Sequence, residues 1–384
     1  MIFYLSQWLL ERARETAWEE PLSFLRLFRY LSFRSAGAAI TALVLSWWLG
    51  PKVIAWLKGL KFGQEYLDKA EEAGGLTARV HSKKGTPTMG GVLIVGVMDL
   101  TALLWTQWNT LVLLTLLSVL VLAGLGFYDD WAKITRQSSA GAAEHVKLVV
   151  QFALAAFIAI YLWRAPATTK LISEVMVPFY KYPVAVGGFG IALGLALTVL
   201  AIVGSSNAVN FTDGLDGLAI GCTLIVSFVF LVFTYVAGNI RLAGYLQTPY
   251  VPGAGELTVF CAAMIGAGLG FLWFNCHPAR VFMGDTGSLA LGGALGIIAV
   301  LIHQPLILPI AGGVFVAETV SVMLQRGYFK YTRRRFGEGR RIFLMAPLHH
   351  HFERKGWHES QVVMRFYILC ILCALVALST LKIR

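Results

Sequence analysis

Charge is scarce in this sequence. Asp, Glu, Lys and Arg make up 14% of its 384 residues, and the acids are the rarer sign, 21 against 32 basic residues. With 57% hydrophobic residues and a mean hydropathy of +0.68, a soluble globular chain is excluded, because one water-facing core cannot bury that much apolar surface. Cysteine is sparse too. The five, Cys222, Cys261, Cys276, Cys370 and Cys373, all fall in or beside apolar runs, which excludes a disulfide framework. The lone Cys370-x-x-Cys373 spacing inside an apolar helix reads as packing, not metal or redox chemistry. The apolar start is followed by Glu11, Arg12, Arg14, Glu15, Glu19 and Glu20 with no small-residue cleavage pattern, so a cleaved signal is not expected.

What the sequence has in quantity is apolar runs near the roughly 20 residues that cross hydrocarbon. They read at 36–57, 89–107, 110–127, 147–163, 188–205, 217–236, 256–274, 288–303, 305–325 and 362–381. The expected fold is an all-α polytopic integral membrane protein of about ten transmembrane helices. Residues 1–35 form an amphipathic N-terminal segment, with Tyr4, Leu5, Trp8 and Leu9 at helical spacing, and residues 36–384 form the membrane domain. Gly266, Gly268 and Gly270, with Gly292, Gly293 and Gly296, read as small-residue packing faces.

Ten spans put both termini on one side. The loops 58–88, 128–147, 206–216, 275–287 and 326–361 carry 19 Lys and Arg, and the opposite set carries 11. By the positive-inside rule the first set is cytoplasmic and both termini are periplasmic. The net charge of +11 is thus a topology signal, and nucleic-acid binding is a poor reading of it. Arg333-Arg334-Arg335 and Arg340-Arg341 read as topology anchors and contacts to membrane lipid headgroups.

Every cluster of unusual polar residues falls in a loop or helix end on that cytoplasmic side. These are Lys83-Lys84-Gly-Thr86-Pro-Thr88, Asp129-Asp130, Asn207 to Asp216, Asn275 to Asp285, and His349-His350-His351. Their convergence implies one composite site. The carboxylates Asp129, Asp130, Asp213, Asp216 and Asp285, with no competing thiolates, form a hard-oxygen environment suited to Mg²⁺. Lys83, Lys133 and Lys147 would neutralise phosphate oxygens, so the inventory points to phosphoryl transfer at a membrane surface.

Blander readings exist for each cluster. Asp129-Asp130 at a helix end is a solvated stop in the plain view, but anions oppose the C-terminal dipole there. Asp213-Gly-Leu-Asp216-Gly is also a turn and N-cap pattern, and Gly284-Asp285-Thr-Gly-Ser288 a capped helix start whose free N–H groups suit phosphate. Three consecutive histidines do not make a zinc site. Glu318, inside an apolar run, is either paired within the bundle or close to the mouth of a lipid groove.

Lys83-Lys-Gly-Thr-Pro-Thr-Met-Gly-Gly91, Asp129-Asp130, Asn210-Phe-Thr-Asp-Gly-Leu-Asp-Gly-Leu218, Phe282-Met-Gly-Asp-Thr-Gly-Ser288 and Ala346-Pro-Leu-His-His-His-Phe-Glu353 resemble the bacterial phospho-N-acetylmuramoyl-pentapeptide transferases. These are a branch of the polyprenyl-phosphate N-acetylhexosamine-1-phosphate transferases. The resemblance runs from about Phe33 to Arg384, with one departure at Ala140-Gly-Ala-Ala-Glu-His-Val-Lys147. It implies transfer of phospho-MurNAc-pentapeptide from UDP-MurNAc-pentapeptide to undecaprenyl phosphate, giving lipid I and UMP, in the bacterial cytoplasmic (inner) membrane.

Carried over residue by residue, the resemblance makes Asp285 and Asp213 ligands of Mg²⁺, and Asp129 and Asp130 handlers of the lipid phosphate or its deprotonation. Asn207, Asn210, Asp213 and Asp216 would order the metal and pyrophosphate region, with Lys133 and Lys147 on phosphate oxygens. Phe282 would stack on uracil, with Lys83, Thr88, Gly284 and Asn275 around the nucleotide. His349, His350 and His351 would contact sugar and phosphate, and Gln325 joins the substrate-binding set. A homodimer is implied as well. Two alternatives stay open: a sister transferase using UDP-GlcNAc and, from another class, a transporter of an anionic or lipid-linked substrate.

Overall fold

The computed structural model describes residues 1–14, 16, 18–60, 85–135 and 141–382. An N-terminal helix α1 (Ile2–Ala13) and a 3-10 turn (Ser23–Arg29) precede the bundle. The chain continues through α2 (Leu31–Gly59), α3 (Gly91–Trp105), α4 (Thr110–Thr135), α5 (Glu144–Arg164), the single turn α6 (Lys170–Ser173), α7 (Gly187–Thr212) and α8 (Leu218–Ala237). It ends through α9 (Ile240–Leu246), α10 (Gly255–Asn275), α11 (Gly284–Leu301), α12 (Leu308–Ala311), α13 (Gly313–Phe336), α14 (Leu348–Arg354) and α15 (Glu359–Ser379). Among the described residues the β pairing is limited to an isolated antiparallel bridge, Val175 to Ala185. Apolar chain in hydrocarbon has no water for its N–H and C=O groups, and a helix satisfies them within each segment.

Among the described residues eight helices are long and apolar enough to cross a membrane: α2, α4, α5, α7, α8, α10, α11 and α15. The protein is therefore an all-α polytopic membrane protein. The two other expected spans, 89–107 and 305–325, fall on α3, which is apolar but 15 residues long, and on α12 with the first half of α13. The second half of α13 carries Arg326, Lys330, Arg333, Arg334 and Arg335, and that polarity keeps the helix out of the apolar set.

The buried centre is α11 and α10, with 89% and 78% of their apolar windows inside the protein, against 28% for the peripheral α2. α11 packs between α4 and α7, and α10 between α2 and α8. Small residues allow the close approach: a Cβ at Gly292 of α11 would sit 2.4 Å from the Ser205 carbonyl oxygen of α7. Ser205 Oγ uses that proximity to donate to Gly292 O at 2.6 Å, and Ser206 Oγ to Leu289 O at 3.0 Å. On the other face of α11, a Cβ at Gly126 of α4 would meet the Asp285 carbonyl oxygen at 2.2 Å, which sets the ends of the two helices side by side.

Three helix ends run further than the apolar runs implied. α4 continues through Asp129 and Asp130 to Thr135, α7 through Asn207 and Asn210 to Thr212, and α11 starts at Gly284. The polar residues thus stand on rigid helix. Met1 and Lys382 lie at the opposite end of the bundle: the amine of Met1 donates to Leu103 O and Leu104 O at 3.0 and 2.8 Å, and Lys382 Nζ to Tyr245 O at 3.3 Å. That end is pinned by a buried ion pair. Arg34 of α2 donates to both carboxylate oxygens of Glu256 of α10, at 2.5 and 2.7 Å, and Gln107 N donates to Glu256 Oε2 at 2.7 Å.

Candidate active site

Three helix ends bring carboxylates and lysines together. From α4, Lys133 Nζ lies 2.7 Å from Asp129 Oδ2 one turn behind it and 3.2 Å from Asp285 Oδ2 of α11. From α5, Lys147 Nζ lies 2.8 Å from Asp129 Oδ1 and 2.7 Å from Asp285 Oδ2. Oxygens of Asp129, Asp130 and Asp285 fall within 4.8 Å of one another, so three carboxyl groups share two lysines. The pairs lock one another, because Lys147 bridges both carboxylates. The donor set is all oxygen, the chemistry that hard divalent cations select.

Asp130 is spoken for. Its Oδ1 accepts from Asp285 N at 3.2 Å, and its Oδ2 from Thr286 N at 3.0 Å and Thr286 Oγ1 at 2.8 Å. It caps the N-terminus of α11 from another helix, satisfying N–H groups that a helix start leaves open. Gly284 has a positive φ of 71°, and a Cβ there would sit 2.6 Å from Asp130 Oδ2 and 2.9 Å from Thr88 Oγ1. Glycine is required on both counts. Asn210 of α7 completes the cluster, its Nδ2 donating to Asp285 Oδ1 and to Ser288 Oγ, each at 2.9 Å.

Thr88 and Phe282 are brought to the cluster's edge by a short backbone pairing. Phe282 N donates to Pro87 O, Gly90 N to Phe282 O and Gly91 N to Met283 O, each at 2.8 Å. Asp216 and Asn275 stand in a separate group. Asp216 Oδ2 lies 3.2 Å from His277 Nδ1 and accepts from Ala279 N at 3.1 Å, and Asp216 N donates to Glu359 Oε1 at 2.8 Å. Asn275 Oδ1 accepts from Gly217 N at 3.1 Å, while its Nδ2 donates to Val281 O at 2.8 Å. Tyr367 OH donates to Gly217 O at 2.7 Å. These contacts fix the turn between α7 and α8 to the segment before α11 and to α15.

The histidine triplet splits three ways. His349 is buried, its Nδ1 3.1 Å from Glu318 Oε1. His350 Nδ1 lies 2.8 Å from Glu353 Oε2. His351 Nδ1 accepts from Leu344 N at 3.1 Å, and partial burial and the nearby Lys355 charge hold its imidazole below the usual histidine range. Other expected residues turn elsewhere. Asn207 Nδ2 donates to Gln151 Oε1 of α5 and to Val203 O, both at 2.8 Å. Gln325 staples a loop, its Oε1 accepting from Ile342 N and Phe343 N at 3.0 Å and its Nε2 donating to Phe343 O at 3.1 Å. Asp213, at the end of α7, is in neither of the two close-set ligand groups found among the described residues. Lys83 lies outside the described residues.

Sequence reading missed Thr286 and Ser288, partners of Asp130 and Asn210, although both stand in the Gly-Asp-Thr-Gly-Ser motif. It also missed Gln151, His277, Glu359 and Tyr367, each distant in sequence from the residue it holds. Glu359, an acid opening an apolar run, was the one signal available.

An apolar helical bundle that gathers acids, lysines and amides from separate helices at one end has the making of a membrane-embedded transferase, and the class is shown by similarity. Residues 112–303, half of the chain, match the family model described as Glycosyl transferase family 4. Residues 83–95 match the phospho-N-acetylmuramoyl-pentapeptide-transferase signature 1. The chain is 49% identical over 366 residues to a phospho-N-acetylmuramoyl-pentapeptide-transferase of Methylacidiphilum infernorum, covering 94% of this chain and 97% of the relative. It is 49% identical to one of Opitutus terrae, over 94% and 96% of the two chains, and 48% identical to one of Syntrophus aciditrophicus, over 94% and 96%. The chain belongs to the phospho-N-acetylmuramoyl-pentapeptide-transferase family.

Proposed function

We propose that this chain transfers phospho-MurNAc-pentapeptide from UDP-MurNAc-pentapeptide to undecaprenyl phosphate. An oxygen of the lipid phosphate attacks the sugar-bearing phosphorus, the bond from that phosphorus to the bridging oxygen breaks, and UMP leaves with the oxygen, giving lipid I. The observation that carries this reading is the shared grip of Lys133 and Lys147 on Asp129 and Asp285. Two anions can be drawn together there in a water-poor setting where each charge contact is strong.

Asp129 and Asp285, with the amide of Asn210 beside them, are the residues that would hold Mg²⁺, which would supply charge neutralisation at the pyrophosphate. Both lysines are within reach of phosphate oxygens that enter the same space. Asp130 acts through the helix it caps, holding Asp285 in place. Phe282, Thr88 and Gly284 flank the cluster where the nucleotide would lie, and the turn fixed by Asp216 and Asn275 forms the next wall. His350 and His351 face the sugar and peptide.

The excess of Lys and Arg in the loops expected at the site's end supports a cytoplasmic site with both termini in the periplasm of a bacterial inner membrane. Cysteines placed beside Asp285 or His350 in a background free of native cysteine should react from the cytoplasmic side, and those near Thr168 or Gly253 from outside. The homodimer implied by the family is part of the same reading, tested by mass in detergent.

The test of function is UMP release by the detergent-purified chain with undecaprenyl phosphate and Mg²⁺. Release from UDP-MurNAc-pentapeptide and not from UDP-GlcNAc is the expected result. A transporter would release none, because detergent leaves no compartment to transport across, and release from UDP-GlcNAc alone would favour the sister transferase.

A further inference from the structure

Glu318 is an ionisable residue in the apolar half of α13, fully buried, and no step described so far uses it. Its Oε1 is placed where two groups of α14 converge. His349 N donates to it at 3.2 Å, and His349 Nδ1 lies 3.1 Å away. The imidazole is itself fully buried, so the carboxylate binds the residue's backbone N–H and stands directly against its ring. The other side of that ring meets the turn after α7. A Cβ built on Gly214 would fall 2.2 Å from His349 Nε2, so the ring approaches the turn as closely as the lack of a side chain permits. Gly214 directly follows Asp213.

We infer that Glu318 is a positioning residue for the transfer reaction: it holds His349 with Nδ1 toward the carboxylate and Nε2 against the Asp213-Gly214 turn. An ionised carboxylate accepts hydrogen bonds and donates none, so with Glu318 ionised the ring nitrogen facing it carries the hydrogen. An acidic partner on one nitrogen fixes the imidazole's orientation and tautomer, leaving the other nitrogen defined at the working face. Glu318 and His349 are 31 residues apart, on helices joined by the basic loop after α13. An unpaired acid would be costly in an apolar span, and its retention beside a histidine of the site argues for a use beyond packing.

The inference rests on the transferase reading above, and its tests separate the two. The first is made on the unmodified protein in lipid, labelled with ¹⁵N-histidine, the His349 signals being assigned by their loss in His349→Gln. A protonated Nδ1 is expected, and an unprotonated Nδ1 would overturn the proposal whatever the enzyme's activity. The second is kinetic. Glu318→Gln should lower kcat at least about tenfold while KM for the UDP substrate stays within about twofold. In a His349→Ala background Glu318→Gln should cost no further turnover, as for residues that act as a unit. A wild-type kcat in Glu318→Gln, or full multiplication of the two losses, would overturn it. Gly214→Ala, which crowds Nε2 without touching Glu318, should reproduce the kcat loss, and normal turnover there would count equally against the proposal. If Glu318→Gln yields no folded protein, the tautomer and Gly214→Ala decide. A wild-type protein that releases no UMP would end the transferase reading while leaving the Glu318 to His349 arrangement to the spectrum.

Discussion

Asp130 on α4 caps α11 through Thr286, accepting from both its backbone N at 3.0 Å and its hydroxyl at 2.8 Å. The residue beside it, Asp129, faces the lysines. Two adjacent carboxylates thus make different contacts, one to a helix start and one to the lysines. Asp130→Asn puts an amide NH₂ where an acceptor is needed, leaving buried donors of α11 unmatched at about 1–3 kcal/mol each. The expected outcome is a lower thermal midpoint in detergent together with lost turnover, whereas Asp129→Asn should lose turnover with nucleotide binding retained. Equal thermal midpoints for Asp130→Asn and the unmodified protein would remove the capping role.

Lys147, in the first turn of α5, is shared by Asp129 and Asp285. Lys147→Met leaves three carboxylates facing Lys133 alone. Turnover should fall at least about tenfold if the lost cation is one of two that neutralise developing charge, as proposed. Steady-state turnover at saturating substrates checks this, and an unchanged value would take Lys147 out of the site.

Phe282 stands three residues before Asp285, its backbone locked to Pro87 and Gly90. Stacking of a base on an aromatic ring contributes roughly 1–3 kcal/mol, so Phe282→Ala should weaken binding of a UDP-substrate analogue about 10- to 100-fold by calorimetry. The apparent affinity for undecaprenyl phosphate should change less. Unchanged nucleotide affinity would reject the stacking role.

At the far end of the bundle the Arg34 to Glu256 pair ties α2 to α10. Glu256→Gln leaves a buried guanidinium without its counter-charge, at a cost of about 3–5 kcal/mol. Thermal unfolding should come earlier while KM for both substrates holds. An equal shift in KM would mean that the two ends of the bundle are coupled.

Much of this was legible in the sequence for a physical reason: apolar runs of bilayer length and polar residues at their ends are local signals. The eight long spans and the polar ends at Asp129, Asn210 and Asp285 came from those signals alone. Helix extents did not. α4 and α7 run on through polar residues because ion pairs and packing against α11 hold them, and periodicity of hydrophobicity ends where the bilayer signal ends. Partners across the bundle were hidden as well. Asp130 read as a handler of the lipid phosphate, with nothing local to reveal Thr286 as a partner. Gln325 was a substrate-binding candidate, and its contacts to the backbone of Ile342 and Phe343 had no local signal. Glu318 advertised a buried charge without naming His349.

The central claim is that the Asp285 cluster carries the transfer. Its most direct measurement is lipid I formation, by mass spectrometry, from UDP-MurNAc-pentapeptide and undecaprenyl phosphate by the purified chain and by Asp285→Asn prepared alongside. The amide keeps the shape of the side chain and loses the charge that the lysines and a divalent cation require, so lipid I should form at a rate lower by on the order of 100-fold or more, in protein that unfolds at a comparable temperature. Near-normal lipid I formation by Asp285→Asn at low Mg²⁺ would contradict the account.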